Sequence, residues 1–550
     1  MNDTGAISGQ ARPLHVLNRL AFGPRPGDVE RVRQFGAERY IHEQLYPDAE
    51  VPIPESLRRK IAGYHTLHMS PLELFRTFQL PVMEVRRADK GASNEVLKSD
   101  LKDARIRQRI VLQEAIEARV ARAIEGPRQL QEMLTAFWFN HFNVFRGKGL
   151  DSIWTGSFEQ TAIRPHTMGK FRALLGATAM HPAMLFYLDN WQNTAPGSPG
   201  AKGRFEGINE NYAREVMELH TLGVNGGYTQ ADVIALAHIL TGWGIAPGKP
   251  NAMMREEMRR PMTRLRRGFY WRNANRMPPP SPSLFYFDPR RHDFSSKVFL
   301  GRTIHGAGIS EGERALDILA RHPATAKHLS FELARFFVTD NPPDSLIGPM
   351  AARYLASGGD IREVLAVMFA APEFWQRRYY RSKFKSPYEY VISCARATGV
   401  EVRNYRPLYG TMQLLGQPLY GCLTPNGYSN TEDAWLNPDG MMMRLSFATA
   451  LGNGNLPLDR PPFEEQAGEA AIGGRGARTD ARRGAMNAKF AAPERPHPGP
   501  KPKMVPPDAV ALTQTLGAGA LGANTAQAVE SAPPRLRTAL ILGSPEFMTR

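Results

Sequence analysis

Polar and apolar residues follow the most regular helical period in one stretch, NENYAREVMELHTLGVNGGYTQADVIALAHILTGW, which spans residues 209–243. At about 100° per residue, Glu210, Arg214 and Glu218 fall on one side of a helix, and apolar residues occupy most of the opposite side. A second apolar period follows the Asn-Gly-Gly sequence. The pattern predicts two helices joined by a tight link.

Residues that begin and end helices support these boundaries. Asn209 is a good N-cap, because its side-chain oxygen can accept from a free N–H of the first turn. Gly223 is a good stop, since helices often end with a residue at positive φ. Thr229 and Asp232 have the spacing of a capping box, with Asp in the acidic position. The second helix is therefore predicted to begin after Thr229 and to end before Gly242.

Similar periods recur along most of the chain. Residues 284–304 carry the only pattern that fits a β hairpin or extended arm, and residues 411–428 are punctuated by Gly and Pro, as in a loop. The segments with a helical pattern are 13–46 (two helices), 98–124, 129–145, 164–191, 311–337, 361–378, 387–398, 438–451 and 509–550.

Two segments interrupt the helical pattern, and their compositions bury too little apolar surface to offset the entropy of ordering. The sequence predicts a mainly α fold, a multi-helical globular body with a short β arm and two low-complexity insertions. The predicted divisions are 1–246 for the first part of the helical body, 247–283 for a mobile basic Pro/Arg-rich insertion, 284–456 for the β arm and the second part of the body, 457–506 for a disordered insert, and 507–550 for C-terminal helices of the same body.

The composition indicates in which cellular compartment the protein is expected, but it says little about its function. Hydrophobic residues make up 42% of the 550 residues, enough for a sizeable core. No apolar run approaches the roughly 18 residues of a membrane helix, so no transmembrane segment is expected. No secretory signal is visible at the start, which makes the cytoplasm the default expectation. Cys394 and Cys422 are the only cysteines, too few for a disulfide framework.

The chain is basic, with a formal net charge of +16. Clustered Lys and Arg would suit a nucleic acid, because they neutralise phosphates. The excess is uneven, however, and residues 249–276 alone hold nine basic residues. No recognisable nucleic-acid motif accompanies them. The sequence therefore favours a solvated basic loop, and a nucleic-acid partner is not expected.

The polar side of the first helix offers two interpretations. Glu215 and Glu218 are three residues apart and share a face, so they could bind one metal ion or share a proton. Alternatively, Arg214 pairs with Glu210 and Glu218 at i±4 and the arc is a buried structural network. The members of that predicted network are Asn209, Glu210, Asn211, Arg214 and Glu218.

Other candidates lie outside this helix. His141, in an aromatic helix, is a candidate catalytic residue, although a buried histidine is usually only hydrogen-bonded. His292 and Asp293 are candidates because a histidine beside a carboxylate on a loop can act as a base or a ligand. Neighbouring side chains on an extended segment point to opposite sides, so the two need not act together.

Three residues are candidates for binding an anion. Arg164 and His166 stand at a helix start, where N–H groups and a guanidinium could hold an anion or form a structural cap. Lys297 follows the His292-Asp293 pair and adds a positive charge there.

Several of these stretches together resemble one family, the bacterial domain of unknown function 1800 (DUF1800). No established activity comes with the resemblance. Many members look exported, and their genes often lie beside a sulfatase-like family, which implies a sulfatase-like partner. His238 stands where an arginine is expected. The stretches that carry the resemblance are HVLNRLAFGPRPGDV, MLTAFWFNHFNVF, RPHTMGKFRALLGATAMHPAMLFYLDN, the NENYARE-to-TGW block, FYFDPRRHDFSSKVFLG, RHPATAKHLSFELARFF, KFKSPYEYV and GSPEFMTR.

Two classes of function follow. The first is a structural or partner-binding helical protein with a buried polar network. The alternative is a metal-assisted hydrolase with a divalent metal as cofactor, using Glu215, Glu218, His141 and His292. Whether the chain is an enzyme is left open.

Overall fold

Helices dominate the structure, a computed structural model that describes residues 5–47, 51–83, 94–203, 205–246, 282–461 and 504–550. The described residues form twenty-three α-helices and four short strands, which confirms the predicted mainly α fold. Most of the two predicted insertions, 247–283 and 457–506, lies outside the described residues. Among the described residues, no helix is both long and apolar enough to cross a membrane.

The helices of the first half of the chain are α1 (Arg12–Leu20), α2 (Asp28–Phe35), α3 (Ala37–Leu45), α4 (Glu55–Ala62), α5 (Pro71–Leu74), α6 (Asn94–Glu125), α7 (Gln129–His141), α8 (Asp151–Phe158), α9 (Phe171–Met180), α10 (Pro182–Tyr187), α11 (Asn211–Glu218) and α12 (Gln230–Ile239). Those of the second half are α13 (Ile309–Ala320), α14 (Pro323–Phe337), α15 (Asp344–Ala356), α16 (Ile361–Ala370), α17 (Pro387–Thr398), α18 (Arg406–Leu414), α19 (Pro438–Gly452), α20 (Ala509–Leu516), α21 (Ala523–Ser531), α22 (Pro534–Leu542) and α23 (Pro545–Met548).

Short 3₁₀ and π turns connect or extend these helices. The 3₁₀ turns are His65–His68, Arg164–His166, Asn190–Gln192, Pro372–Trp375, Arg377–Tyr379 and Glu432–Ala434, and the π turns are Phe75–Gln79 and Glu159–Ile163.

Local signals in the sequence fix several helix starts. The predicted capping box is present, since Thr229 accepts from the N–H of Asp232 and Asp232 accepts from the N–H of Thr229. Asn209 Oδ1 accepts from the N–H of Asn211 at 3.0 Å, at the start of α11. His181 caps α10 by accepting from the N–H of Ala183. Each contact satisfies a backbone donor that a helix start leaves free.

One apolar cluster runs through the molecule, from Leu14 in α1 to Met548 in α23. Its largest members, Trp138, Trp154 and Trp243, are fully buried. The C-terminal helices take part, because α20 packs on α17 and α22 packs on α19. Side chains from both ends of the chain therefore share one core.

The four strands form two small antiparallel pairs. Strand β1 (Trp243–Ile245) pairs with β2 (Phe285–Phe287), and β3 (Lys297–Phe299) pairs with β4 (Arg302–Ile304). The β3–β4 turn places Leu300 at φ 48° and Gly301 at φ 71°, and positive φ at both positions suits a two-residue hairpin. Only residues 284–304 were predicted as β, so β1 was missed; it is a three-residue strand that directly follows Gly242 at φ 80°.

Three further boundaries differ from the predictions. Residues 13–46 were predicted to form two helices, but they contain α2, α3 and most of α1. Gly36, at φ 92°, ends α2 and separates it from α3. The start of the loop predicted for 411–428 belongs to α18. Helix α15 was not predicted, and it contains Pro349 in its interior.

Candidate functional site

The polar arc of α11, which consists of Glu210, Arg214 and Glu218, lies at the edge of the α11–α12 pair. Arg214 is 3.1 Å from Glu210 and 3.4 Å from Glu218, and its Nη2 donates to Gln230 of α12 at 2.9 Å. The three charged side chains are 38%, 37% and 24% exposed, in the order Arg214, Glu210, Glu218. Arg214, Glu210 and Glu218 therefore pair, but they are partly exposed where a buried network was predicted. The side chains of the other two predicted members, Asn209 and Asn211, bond to the backbone of Asn211 and Leu188 instead.

We expect Arg214→Ala to lower the free energy of unfolding by less than about 1 kcal/mol, because exposed ion pairs are screened by solvent. Urea unfolding followed by circular dichroism measures this change. A loss of about 3 kcal/mol would show that the arc is buried in solution and would contradict the exposure of Arg214.

The carboxylates Glu215 and Glu218 do not meet the candidate histidines. Burial, and then the charge of Glu218, raise the pKa of Glu215. Within the described ranges, no hydrogen bond or ion pair joins either carboxylate to His141 or His292. The described part of the chain also contains no group of three or more His, Cys, Asp or Glu side chains that could hold a metal ion.

His141 belongs to a cluster of three histidines at the end of α7. Its ring lies 6.1 Å from that of His220 and 6.2 Å from that of His328, measured between centroids. Burial lowers the pKa of His141 to about 3, so the ring is neutral. Its Nε2 donates to the carbonyl of His220 at 3.1 Å, which leaves Nδ1 as an acceptor.

His292 and Asp293 bond to different side chains but belong to one chain of contacts, since Lys297 Nζ also lies 3.8 Å from Asp293 Oδ1. His292 Nε2 bonds to Glu311 Oε1 at 2.8 Å, and both side chains are fully buried. Lys297 Nζ donates to Glu311 Oε2 at 2.8 Å. Asp293 instead bonds to Nδ1 of His238 at 2.7 Å. Glu311 and His238 complete a chain of five charged or ionisable groups, and neither was predicted to belong to it.

Arg164 lies in a buried charge network, which consists of Arg119, Glu132, Glu159, Arg164 and Tyr420. Arg164 makes a two-point contact with Glu132, at 2.7 and 2.9 Å, and a third contact with Glu159 at 3.2 Å. On the other side of Glu159, Arg119 Nη1 and the Tyr420 hydroxyl donate at 3.1 and 2.9 Å. Side-chain exposure is only 1% for Glu159 and 7% for Arg119. This is a buried charge network, and none of its members belongs to α11.

The three predicted anion-binding residues lie in two separate places. Both terminal nitrogens of Arg164 contact carboxylates of the chain itself, and Lys297 contacts Glu311. His166 is half-buried on its 3₁₀ turn, and burial lowers its pKa. Binding of an external anion by Arg164, His166 or Lys297 stays a prediction.

The buried charge network borders a pocket with several aromatic side chains in its lining, which we call the aromatic pocket. It encloses about 60 Å³. The guanidinium of Arg119 lies 5.1–5.4 Å from the ring centroids of Phe139, Tyr388 and Tyr420. The pocket is lined by Phe22, Arg119, Ala136, Phe139, Asn140, Asn143, Phe336, Phe384, Ser386, Tyr388, Glu389, Gln417, Pro418, Leu419, Tyr420, Tyr428, Asn430, Trp435 and Arg550.

A second arginine forms part of the pocket wall. Arg550 Nη2 lies 2.8 Å from Glu389 Oε1 and donates to the carbonyl of Phe336 at 2.8 Å. Its Nε and Nη1 have no hydrogen-bond partner among the described residues, and Glu389 Oε1 lacks hydrogen-bond geometry toward any donor there. An aromatic pocket with an incompletely bonded guanidinium on its wall can bind a small organic anion.

A family model described as "Protein of unknown function (DUF1800)" matches residues 15–549. The chain belongs to the DUF1800 family. The match covers nearly the whole chain and confirms the resemblance seen in the sequence stretches. No curated protein and no solved structure matches the chain.

Helix α7 of this DUF1800 chain and the residues after it carry polar groups in two settings. His141, the predicted catalytic candidate, lies in the histidine cluster, whereas Asn140 and Asn143 line the aromatic pocket. Asn140 also holds the backbone of Tyr428, donating to its carbonyl at 2.8 Å and accepting from its N–H at 2.7 Å. In the sequence, the polar residues spaced among the aromatic residues of this stretch were the signal that could have indicated the pocket.

Proposed function

We propose that this DUF1800 protein is a binding protein that takes a small organic carboxylate in the aromatic pocket. The observation that carries the proposal is Arg550, a buried residue that lines the pocket and whose Nε and Nη1 have no hydrogen-bond partner among the described residues. Buried N–H groups without partners are rare in folded proteins. An incoming carboxylate oxygen would accept a charge-assisted hydrogen bond from one of these N–H groups.

The rest of the wall supports a ligand with an apolar part. Phe22, Phe384 and Trp435 line the pocket and are almost fully buried, so an apolar group there would leave water. The lining includes the guanidinium groups of Arg119 and Arg550 and the carboxylate of Glu389, and Glu159 pairs with Arg119 from outside the lining. A carboxylate ligand forms charge-assisted hydrogen bonds with Arg550, which are stronger than those of a neutral acceptor.

Binding is tested with matched pairs of ligands, benzoate against benzamide and butyrate against butyramide. We expect the carboxylates to raise the melting temperature and the amides to have little effect; at one hundred times Kd, a ligand stabilises a protein by roughly 2.7 kcal/mol. Arg550→Gln should weaken carboxylate binding at least about tenfold, since it removes a charge-assisted contact. Isothermal titration calorimetry measures the Kd.

Two further variants separate the pocket from general charge effects. Arg290→Gln removes an exposed arginine outside the pocket and should leave Kd unchanged. Ala136→Leu adds bulk to the pocket lining without changing charge, and should also weaken binding. Equal responses to each acid and its amide, or equal affinities of Arg550→Gln and wild type, would contradict the proposal.

The alternative functions have less support. The residues of the metal-assisted hydrolase, Glu215, Glu218, His141 and His292, have contacts that do not join them into one site. The sulfatase-like partner implied by the family resemblance stays a prediction. A small-molecule ligand is the partner that the pocket geometry favours.

A further inference from the structure

Two isoleucines of α6 lie on the side of the helix that faces solvent. Ile106 is 49% exposed and Ile110 is 44% exposed, and neither belongs to the apolar cluster of the core. They are four residues apart, so their side chains lie one above the other on one helix face. Ala104 and Val111, on the opposite face, are buried. Helix α6 therefore presents a short apolar strip to solvent, in addition to the face that packs on the body.

Basic side chains flank this strip on both sides. At about 100° per residue, Lys102 and Arg109 lie on one side of the strip. Arg105 lies further round on that side, and Arg107 lies on the other side. All four basic side chains are exposed. Residues 102–110 contain these four basic residues and one acidic residue, so the net charge of the stretch is +3.

The charges of this stretch are available to a partner. Among the described residues, no ion pair involves a basic side chain of 102–110, whereas Arg119 and Glu125, near the other end of α6, do form ion pairs. The whole chain also carries a formal net charge of +16, which attracts anionic surfaces over a longer range. An anionic partner is therefore favoured.

An apolar strip between two rows of cations is typical of a helix that lies on a membrane surface. The apolar side chains enter the boundary between headgroups and acyl chains, while Lys and Arg keep their charges at the level of the headgroups. A flat anionic surface can reach the cations on both sides of the strip at once. An acidic helix alongside α6 would reach only one side, because Arg105 and Arg107 are separated by roughly 200° around the helix.

We propose that the solvent face of α6 binds the protein reversibly to the surface of an anionic phospholipid membrane. Ile106 and Ile110 enter the headgroup region, and the four basic side chains of 102–110 contact anionic headgroups. Two isoleucines bury little apolar surface, so binding requires the charges as well. The aromatic pocket has no residue of 102–110 in its lining, so this proposal and the proposed carboxylate binding can fail independently.

The test uses the full-length protein and sedimentation with lipid vesicles. One set contains phosphatidylcholine with about 30% phosphatidylserine, and the other contains phosphatidylcholine alone. We expect binding to the anionic vesicles and at least about tenfold weaker binding to the neutral ones. Raising the ionic strength from about 0.05 M to about 0.5 M should also weaken binding, because salt screens exposed charges.

A charge variant tests the basic residues of α6. Arg105→Gln/Arg107→Gln/Arg109→Gln should weaken binding to anionic vesicles roughly a hundredfold, since each cation near such a surface contributes about a fivefold increase in affinity.

The matched control removes three exposed cations elsewhere, near α13 and in α14, by Arg314→Gln/Arg321→Gln/Lys327→Gln. It lowers the net charge equally and should change the affinity less than about threefold, because only the long-range attraction is reduced. Equal losses in the two variants would show that net charge alone determines binding, and would overturn the assignment to α6.

A second pair of variants tests the apolar strip. Ile106→Ser/Ile110→Ser should weaken binding about tenfold, because it removes apolar surface that enters the membrane. Leu355→Ser, at a position in α15 that is 45% exposed, should bind like the wild type. Circular dichroism verifies that each variant is folded.

A fluorescent label locates the contact directly. Because Cys394 and Cys422 are buried, Ile110→Cys provides a single accessible thiol for an environment-sensitive nitrobenzoxadiazole label. We expect its emission to shift to the blue with anionic vesicles, and no shift for the same label on Leu355→Cys. Absence of binding to anionic vesicles, equal binding to neutral ones, or an unshifted label at position 110 would overturn the proposal. Binding of polyglutamate without binding of anionic vesicles would assign the face to an acidic polypeptide and would overturn it too.

Discussion

Glu159→Gln is expected to lower the free energy of unfolding by about 3–5 kcal/mol, the usual cost of removing one partner of a buried ion pair. Glu159 is the only carboxylate that contacts both Arg119 and Arg164 among the described residues. After the substitution, Glu132 would still pair with Arg164, but Arg119 would remain buried without a counter-charge. Urea unfolding of both proteins at pH 7 measures the difference.

Glu210→Gln is the matched control, since it makes the same chemical change in the partly exposed arc. Glu210 is 37% exposed and contacts Arg214 at 3.1 Å, so its loss should cost less than about 1 kcal/mol. Equal losses in the two variants would show that burial does not determine the stability of these ion pairs, and the assignment of Glu159 as the centre of the network would be wrong.

The same carboxylate gives the stability a pH dependence. Burial acts to raise the pKa of Glu159, but Arg119, Arg164 and Arg122 outweigh it and the net pKa is lowered. A carboxyl group with a lowered folded-state pKa stabilises the fold fully above its unfolded pKa, near 4.3. That contribution is lost as the pH falls through the lower folded-state pKa. Glu159→Gln should therefore flatten the decline of stability in this acidic range.

Local structure could be read from the sequence because its causes are local. The capping box of Thr229 and Asp232 involves residues three positions apart, and Gly36 ends a helix through its own φ. Each of these features depends on a few neighbouring residues.

The contacts that a charged side chain makes with residues distant in sequence could not be predicted from neighbouring residues. Arg164 was a candidate for an external anion because Glu132, 32 residues earlier, cannot be placed beside it by any helical period. The aromatic pocket combines Phe22, Arg119 and Arg550, which only the packing of distant helices brings together. The sequence could show that charged residues exist, whereas tertiary packing determines whether they are exposed, paired or left with free donors.

Gly312→Ala should destabilise the protein by up to about 2 kcal/mol, although alanine is the better helix former. Gly312 lies inside α13, where the change to alanine alone would contribute about 1 kcal/mol of stability. A Cβ there would lie inside the van der Waals distance of Trp243 Cζ2 and 2.6 Å from Cε2. Because Trp243 is fully buried, its ring cannot move without disturbing the core, and such overpacking costs about 1–3 kcal/mol. Thermal and urea unfolding measure the net effect.

Gly410→Ala makes the same substitution in α18 and should have the opposite sign. Gly410 is half-buried and is followed by Thr411, and a Cβ there would meet nothing within 4 Å. Only the helix propensity then changes, so we expect a gain of about 0.5–1 kcal/mol. A gain in stability at both glycines would mean that Trp243 does not lie against α13. Because Gly312 follows Glu311, that result would also contradict the position of the buried contacts from Glu311 to His292 and Lys297.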